Sequence, residues 1–368
     1  MSTEQLIVSP GRLLGAFCGL SSGQMHFVQV RWDDMARTAG DAVRAFLDHR
    51  VNDLKDYEPI ASHGGLVAFR RRPSMSPPPP VHSLAPSPPK PGSELCICNP
   101  VSGHHVSLPT PVIRDESFVL LADRDGQFIL YVFNLELAGD GVLQIQAYSS
   151  AAGRWGGVVG TCPHLPLKFR SRFLRPTPLF LDDVAYFLCE SDFKNLGLHV
   201  LAVPIKGQKR QLGPIRLPAE VLYTHAKRRF DADELLLASS TVNGTRRLTL
   251  AVAEMFTIAL WTLHDDGLAL GKPARWTRRS SVDLWEIKVE QDKCGRLWKK
   301  DGDRVALECF SQSSGAVLFH LHHMLYKLDL QTEKVSPAGL YCKRESTNMC
   351  AYDTEEAVLS GMKPKESN

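Results

Sequence analysis

Short apolar runs alternating with polar positions recur along this chain, at residues 66–69, 118–121, 128–133, 142–148, 184–188 and 198–203. Each has the length of a strand, is rich in β-branched and aromatic residues, and is bounded by Asp-Gly, Asp-Asp or Ser-Gly turn signals. The pattern predicts a predominantly β protein. One stretch, 33–54, departs from it: Val43, Phe46 and Leu47 fall on one side at helical spacing, Asp33 or Asp34 is placed to cap, and Gly40 weakens the middle. A short N-terminal helix is predicted there.

The strand-turn-strand units repeat when they are aligned on their turns. Gly103, Gly153, Gly207, Asp266 and Glu333 mark five such turns, 50 to 67 residues apart, just above the roughly 40–50 residues of propeller repeats. Residues 315–335 are the clearest copy. In residues 96–109, Pro100 fixes φ for the turn, Asn99 can bond its own backbone, Gly103 supplies a left-handed conformation, and Leu108-Pro109 ends the hairpin. A four-stranded blade buries both faces only when neighbours stack on it, so repeating units must close into a ring. Residues 11–32 supply a further hairpin to pair with C-terminal strands and close the circle. The expected fold is therefore an all-β propeller of six blades, with five as the alternative.

With 368 residues, the chain is long enough for one such architecture, and its formal charge of +3 gives no strong attraction to nucleic acid or acidic membranes. Residues 1–10 lack a basic signal-peptide start, and the apolar run 251–263 is interrupted and too short to span a membrane. Nine scattered cysteines fit a reducing interior. The expected location is intracellular, in cytoplasm, nucleus or both. The expected organisation is a tail at 1–10, one propeller domain at 11–357 with an exposed proline-rich insertion at 71–92, and a tail at 358–368.

Motifs for a nucleophile elbow, a zincin helix, a phosphate loop or a dinucleotide fold are missing. His320, His322 and His323, with Cys342 and Cys350, fit no zinc spacing, and the histidines are read as turn residues. Cys96 and Cys98 point to one face of a strand and are read as packed thiols; His104 and His105 are read as solvated. The segments 123–126 and 301–303 resemble calcium loops but lack the distant ligands, so hairpin turns are expected. The basic clusters 206–210, 227–229 and 278–279 are read as solvated rim. Trp155, Trp261, Trp276, Trp285 and Trp298 recur late in the units, fitting either packing between blades or exposed binding anchors. No cofactor, metal or catalytic residue is assigned.

Residues Ser62-His-Gly64-Gly65-Leu-Val-Ala-Phe69, followed by Leu95-Cys-Ile-Cys-Asn99-Pro100-Val-Ser-Gly103 and Leu108-Pro109, resemble the opening of the F-box-associated domain of plant F-box proteins, closest to the grass-type set. Residues 179–188 and 258–263, with Trp276 and Trp285, are similar to the later blades of that family. The resemblance implies a kelch-like propeller that presents substrates to a ubiquitin ligase of the Skp, cullin and F-box type. It assigns Gly64, Gly65, Asn99, Pro100, Gly103, Leu108 and Pro109 as structural motif residues. The helical F-box is expected before Gly11, where ten residues stand, so a Skp-type adaptor is a partner only of a longer form. The expected function is non-enzymatic recognition of a protein substrate by loops on one face. The alternatives are a hydrolase or lyase centred on the channel, or a propeller binding a small molecule or carbohydrate.

Overall fold

The alternating runs become six antiparallel sheets, the blades of a β-propeller. The computed structural model describes residues 12–354 apart from 21–24, 31–33, 51–52, 73–93, 115–116, 124–125, 137–141, 162–170, 176, 192–196, 206–213, 265–274, 288–303, 322–323 and 341–345. The chain enters through β1 (Arg12–Leu20), β2 (Met25–Gln29) and helix α1 (Asp34–His49). The first complete blade is β3 (Tyr57–His63), β4 (Leu66–Arg71), β5 (Leu95–Asn99) and β6 (His104–Leu108). In the second, β7 (Ser117–Ala122), β8 (Phe128–Glu136) and β9 (Val142–Ser149) are followed by β10 (Arg154–Trp155) and β11 (Val159–Thr161), which share the outer edge.

The third blade has a divided inner strand, β12 (Ser171–Phe173) and β13 (Leu179–Leu181), against β14 (Val184–Ser191), then β15 (Leu198–Pro204) and β16 (Pro214–Arg216). Helix α2 (Ala219–Lys227) and a 3₁₀ turn, Ala232–Glu234, lead to the fourth: β17 (Leu235–Val242), β18 (Thr245–Glu254), β19 (Thr257–Leu263) and β20 (Trp276–Asp283). The fifth is β21 (Val305–Ser311), β22 (Ala316–Leu321), β23 (Met324–Asp329) and β24 (Val335–Leu340). The last strand, β25 (Ser346–Thr354), pairs with β1 and completes a three-stranded sixth blade in the order β2-β1-β25. Closure by the entering hairpin and the C-terminal strand, expected from the sequence, is what the structure has.

Each interface between neighbouring blades holds one apolar cluster, six in all among the described residues. Both faces of every blade are thereby dry, which is why no blade is stable alone. The interface between the sixth and first blades is shared with α1, whose Ala39, Val43 and Phe46 join Phe17, Phe27, Phe69 and Tyr352. Gly40 does not break this helix. A Cβ there would stand 2.1 Å from Gln29 Nε2, so the amide end of that side chain lies directly over the glycine. The helix ends at His49 rather than continuing to the expected Leu54, which is buried beyond it.

Since every blade is a meander from the inside outward, its first and third turns lie on one face of the disc, here the turn face. The second connection and the crossing to the next blade lie on the other, the connector face. The markers Gly103, Gly153 and Glu333 all occupy third-to-fourth turns, with φ of 74°, 61° and 57°; Gly207 and Asp266 lie outside the described residues. Of the proline-rich insertion, 73–93 lie outside the described residues; the end of β4 and the start of β5 that flank it are on the connector face. Its two ends adjoin through Arg71 N–H to Glu94 O, 2.9 Å, and Arg71 itself belongs to β4. Two tryptophans stitch outer strands together: Trp155 donates to Pro109 O at 2.6 Å and Trp276 to Arg216 O at 2.8 Å.

Candidate functional site

The family-motif residues come together in two places, both on the turn face. In the β3–β4 turn Gly64 and Gly65 have φ of 56° and 79°, values that cost an L side chain of order 1 kcal/mol or more. Gly65 N–H donates to Asp353 O at 3.0 Å and Gly65 O accepts from the Tyr352 hydroxyl at 3.1 Å. The double glycine therefore latches the first blade to the closing strand β25. In the β5–β6 turn, Asn99 Oδ1 accepts from Val101 and Ser102 N–H at 3.1 Å each, and Asn99 O from Gly103 N–H at 2.9 Å. Leu108 is buried at the blade interface, and Pro109 presents the carbonyl that Trp155 uses.

Chemistry gathers instead on the axis. Strand β3 bulges between Pro59 and Ala61, β21 between Leu307 and Cys309, and the inner strand of the third blade is broken between β12 and β13. The break carries Arg175 across the channel. Its Nε donates to Ala232 O and Leu235 O at 2.9 and 2.8 Å, Nη1 to Glu308 O at 2.7 Å, and Nη2 to Leu307 O at 2.6 Å. One guanidinium thus satisfies carbonyls of the fourth and fifth blades, two of them at the β21 bulge. Burial pulls its pKa below the ordinary arginine value, opposed by Glu308 and Asp233. Around it lies an axial cavity of about 340 Å³, lined by all six blades.

Three carboxylates, Asp233, Glu308 and Asp353, border this cavity. The β21 bulge places Glu308 Oε1 2.7 Å from His320 Nδ1. Here the sequence reading is corrected: His320 is a buried residue of β22, not a turn residue, because the strand runs to Leu321 before reversing. His322, His323 and Cys342 lie outside the described residues. Asp353, on β25, accepts from Ser311 Oγ at 2.6 Å and Ser313 N–H at 3.4 Å. Burial raises its pKa, and the Ser311 bond partly offsets that.

Away from the axis, several of the described polar groups that the sequence singles out have local partners. Cys96 and Cys98 are buried with sulfurs 3.4 Å apart; the bond from the Cys98 thiol lowers the pKa of Cys96 and raises that of Cys98. His104 and His105 are exposed. Asp123 closes the β7–β8 turn by accepting from Gln127 N–H at 2.8 Å; 301–303 and 206–210 lie outside the described residues. Arg228 pairs with Glu234, Arg229 with Glu190, Arg278 with Glu254 and Arg279 with Glu333. Among the described residues no three His, Cys, Asp or Glu side chains group to hold a metal ion, and no helix is long and apolar enough to cross a membrane.

Among the described residues, four of the six exposed large apolar side chains stand on the connector face. Val112, in the crossing from the first blade to the second, is 79% exposed, Tyr223 on α2 63%, Met255 in the β18–β19 turn 75%, and Trp285 beyond β20 53%. Trp285 packs edge-on against Phe256, 5.8 Å between ring centres, and Lys227 lies 4.4 Å over the Tyr223 ring. Val158 and Val159 are exposed midway along the second blade's outer edge, where Val159 pairs with Ile145. Of the five tryptophans singled out in the sequence, Trp155, Trp261 and Trp276 pack between blades, Trp285 is exposed, and Trp298 lies outside the described residues.

Among solved structures, the chain is similar to the periplasmic gluconolactonase PpgL of Pseudomonas aeruginosa, at 11% identity over 89% of this chain and 82% of that one, with a TM-score of 0.41. It is also similar to a chain from a study of two prolyl endopeptidases, at 13% identity over 90% of this chain, with a TM-score of 0.33; it spans 49% of that longer chain. No curated protein matches it. One family profile does, over residues 29–364, and the chain belongs to that family, described as a domain of unknown function, DUF7595.

Proposed function

We propose that this chain is a protein-interaction module whose protein partner docks on the connector face. The observation that carries the reading is the segregation of exposed apolar bulk: Val112, Tyr223, Met255 and Trp285 all stand on that face. Exposed aromatic and Met side chains beside paired arginines have the composition of an interface anchor cluster. Arg175, held on four main-chain carbonyls, acts in this reading as a strut and not as a catalytic group.

The finer proposal is that the chain works inside the cell as the substrate-recognition half of an F-box ubiquitin-ligase adaptor, with a kelch-like propeller. The resemblance around Gly64-Gly65 and Asn99-Pro100 supports it, and a Skp-type adaptor then joins through an F-box on a longer form. The test is affinity capture from plant tissue with the native chain, a Met255→Asp/Trp285→Asp variant and a turn-face control, Ser102→Asp. Proteins kept by the control and lost by the double variant are the expected result. Identical sets from all three overturn the reading.

A further inference from the structure

The axial cavity has features that protein docking on the connector face does not use. Its volume of about 340 Å³ lies within the roughly 300–1,000 Å³ of small-molecule sites. Its ionic groups are each held by a partner, Asp353 by the Ser311 hydroxyl and the Ser313 N–H, Arg175 by main-chain carbonyls and the others by opposite charges. Arg70 donates through Nε to Glu58 at 2.9 Å, Asp233 faces Arg304 at 3.5 Å, and Arg175 stands at the Glu308 bulge. A ligand bearing either net charge meets an opposing group of its own sign, Glu308 or Asp353 for an anion and Arg175 for a cation, and gives up its hydration as well.

The hydrogen-bond inventory is mixed. Ser62 Oγ donates to Ala351 O and Thr177 Oγ1 to Ile60 O, and Gln312 Nε2 spends one of its two N–H groups on Phe180 O, each on a main-chain carbonyl of another blade. Arg175 engages four more and keeps two Nη hydrogens. What these side chains still present is both kinds of group: the Arg175 Nη hydrogens and the second Gln312 N–H as donors, and the Gln312 amide oxygen, the Ser62 and Thr177 oxygens and the second oxygen of Glu308 as acceptors. Ile60, Phe118, Leu236 and Phe310 supply apolar wall between them. Hydroxyl groups, which both donate and accept, match such a mixed set, and the C–H faces of a small ring match the walls.

We infer that the axial cavity binds a small, neutral, polyhydroxylated molecule of about monosaccharide size. The inference is independent of the docking face. It is tested by ligand-observed NMR and calorimetric titration of the whole chain with D-glucose, D-galactose, D-mannose and xylitol, and with glucuronate and glucosamine as ring-matched anion and cation. At least one neutral probe is expected to bind saturably, with both charged probes at least about tenfold weaker, a difference of about 1.4 kcal/mol. Gln312→Leu, which removes the acceptor, is expected to weaken the neutral probe about tenfold. Glu308→Gln is expected to raise glucuronate affinity about tenfold, and it serves alone if Gln312→Leu does not fold. Absence of saturable binding by every neutral probe, equal or tighter binding of a charged one, or unchanged charge discrimination in Glu308→Gln overturns the inference.

Discussion

The two faces of this propeller use their residues in opposite ways. On the turn face, left-handed backbone and short-range hydrogen bonds hold the chain in tight reversals, and the Gly64-Gly65 turn grips the closing strand. On the connector face, the crossings and the short β18–β19 turn carry apolar side chains that the core leaves exposed, Met255 in that turn at φ 53°. The difference separates two kinds of information. Residues that recur from blade to blade specify how the ring is built, while residues particular to one crossing are available to choose a partner.

Breaking the axis has the largest expected effect. Arg175→Leu leaves four carbonyls without their donor, and at about 1–3 kcal/mol for each buried unsatisfied group a loss of at least about 3 kcal/mol in denaturant unfolding is expected. Next comes the latch: Gly64→Val places a branched side chain at φ 56° with its Cβ 3.1 Å from Ala122 Cβ. A loss of about 1–3 kcal/mol is expected, with faster proteolysis near β25 before the other blades open.

A subtler break uses pH. Burial lowers the pKa of His199, on β15, and of His225, on α2, below the ordinary 6.5. Their folded values lie beneath their unfolded ones, so the stability they confer is present above about pH 6.5 and is lost as pH falls through that value toward the folded pKa. The slope for one proton is at most about 1.4 kcal/mol per pH unit. His199→Leu should flatten the pH dependence of the unfolding midpoint; an unchanged slope counts against this assignment. Asp353 works in the opposite sense. Its raised pKa favours the folded state at low pH, and that contribution fades as pH rises through the folded value.

The smallest expected effect on stability is on the connector face, where Met255→Ser and Trp285→Ala should each stay within about 0.5 kcal/mol. A larger loss assigns those side chains to the fold and removes them from the proposed interface.

The part of the molecule legible in the sequence follows from this division. Alternation, Asn99, Gly103 and the spacing of the turns are local signals, and the blades appear where they point. The axis was not legible. Nothing in the dipeptide Leu174-Arg175 announces that an inner strand breaks there, and the bulge at Glu308 arises from register against β22, a property of two strands together. For that reason His320 reads as a turn residue in one dimension and is a strand residue beside Glu308 in three. The dipeptides Leu260-Trp261 and Leu284-Trp285 look alike, yet Trp261 is 6% exposed and Trp285 53%. Their fates are set by which blade packs over them.

The central claim, that the connector face meets a protein while the turn face serves the fold, is tested most directly by photocrosslinking. A photoreactive amino acid is placed at position 255 in one sample and at position 102 in another, and adducts in native extract are compared. Discrete protein adducts from position 255 and none from position 102 are the expected result. Adducts from position 102 alone, or from neither, contradict it.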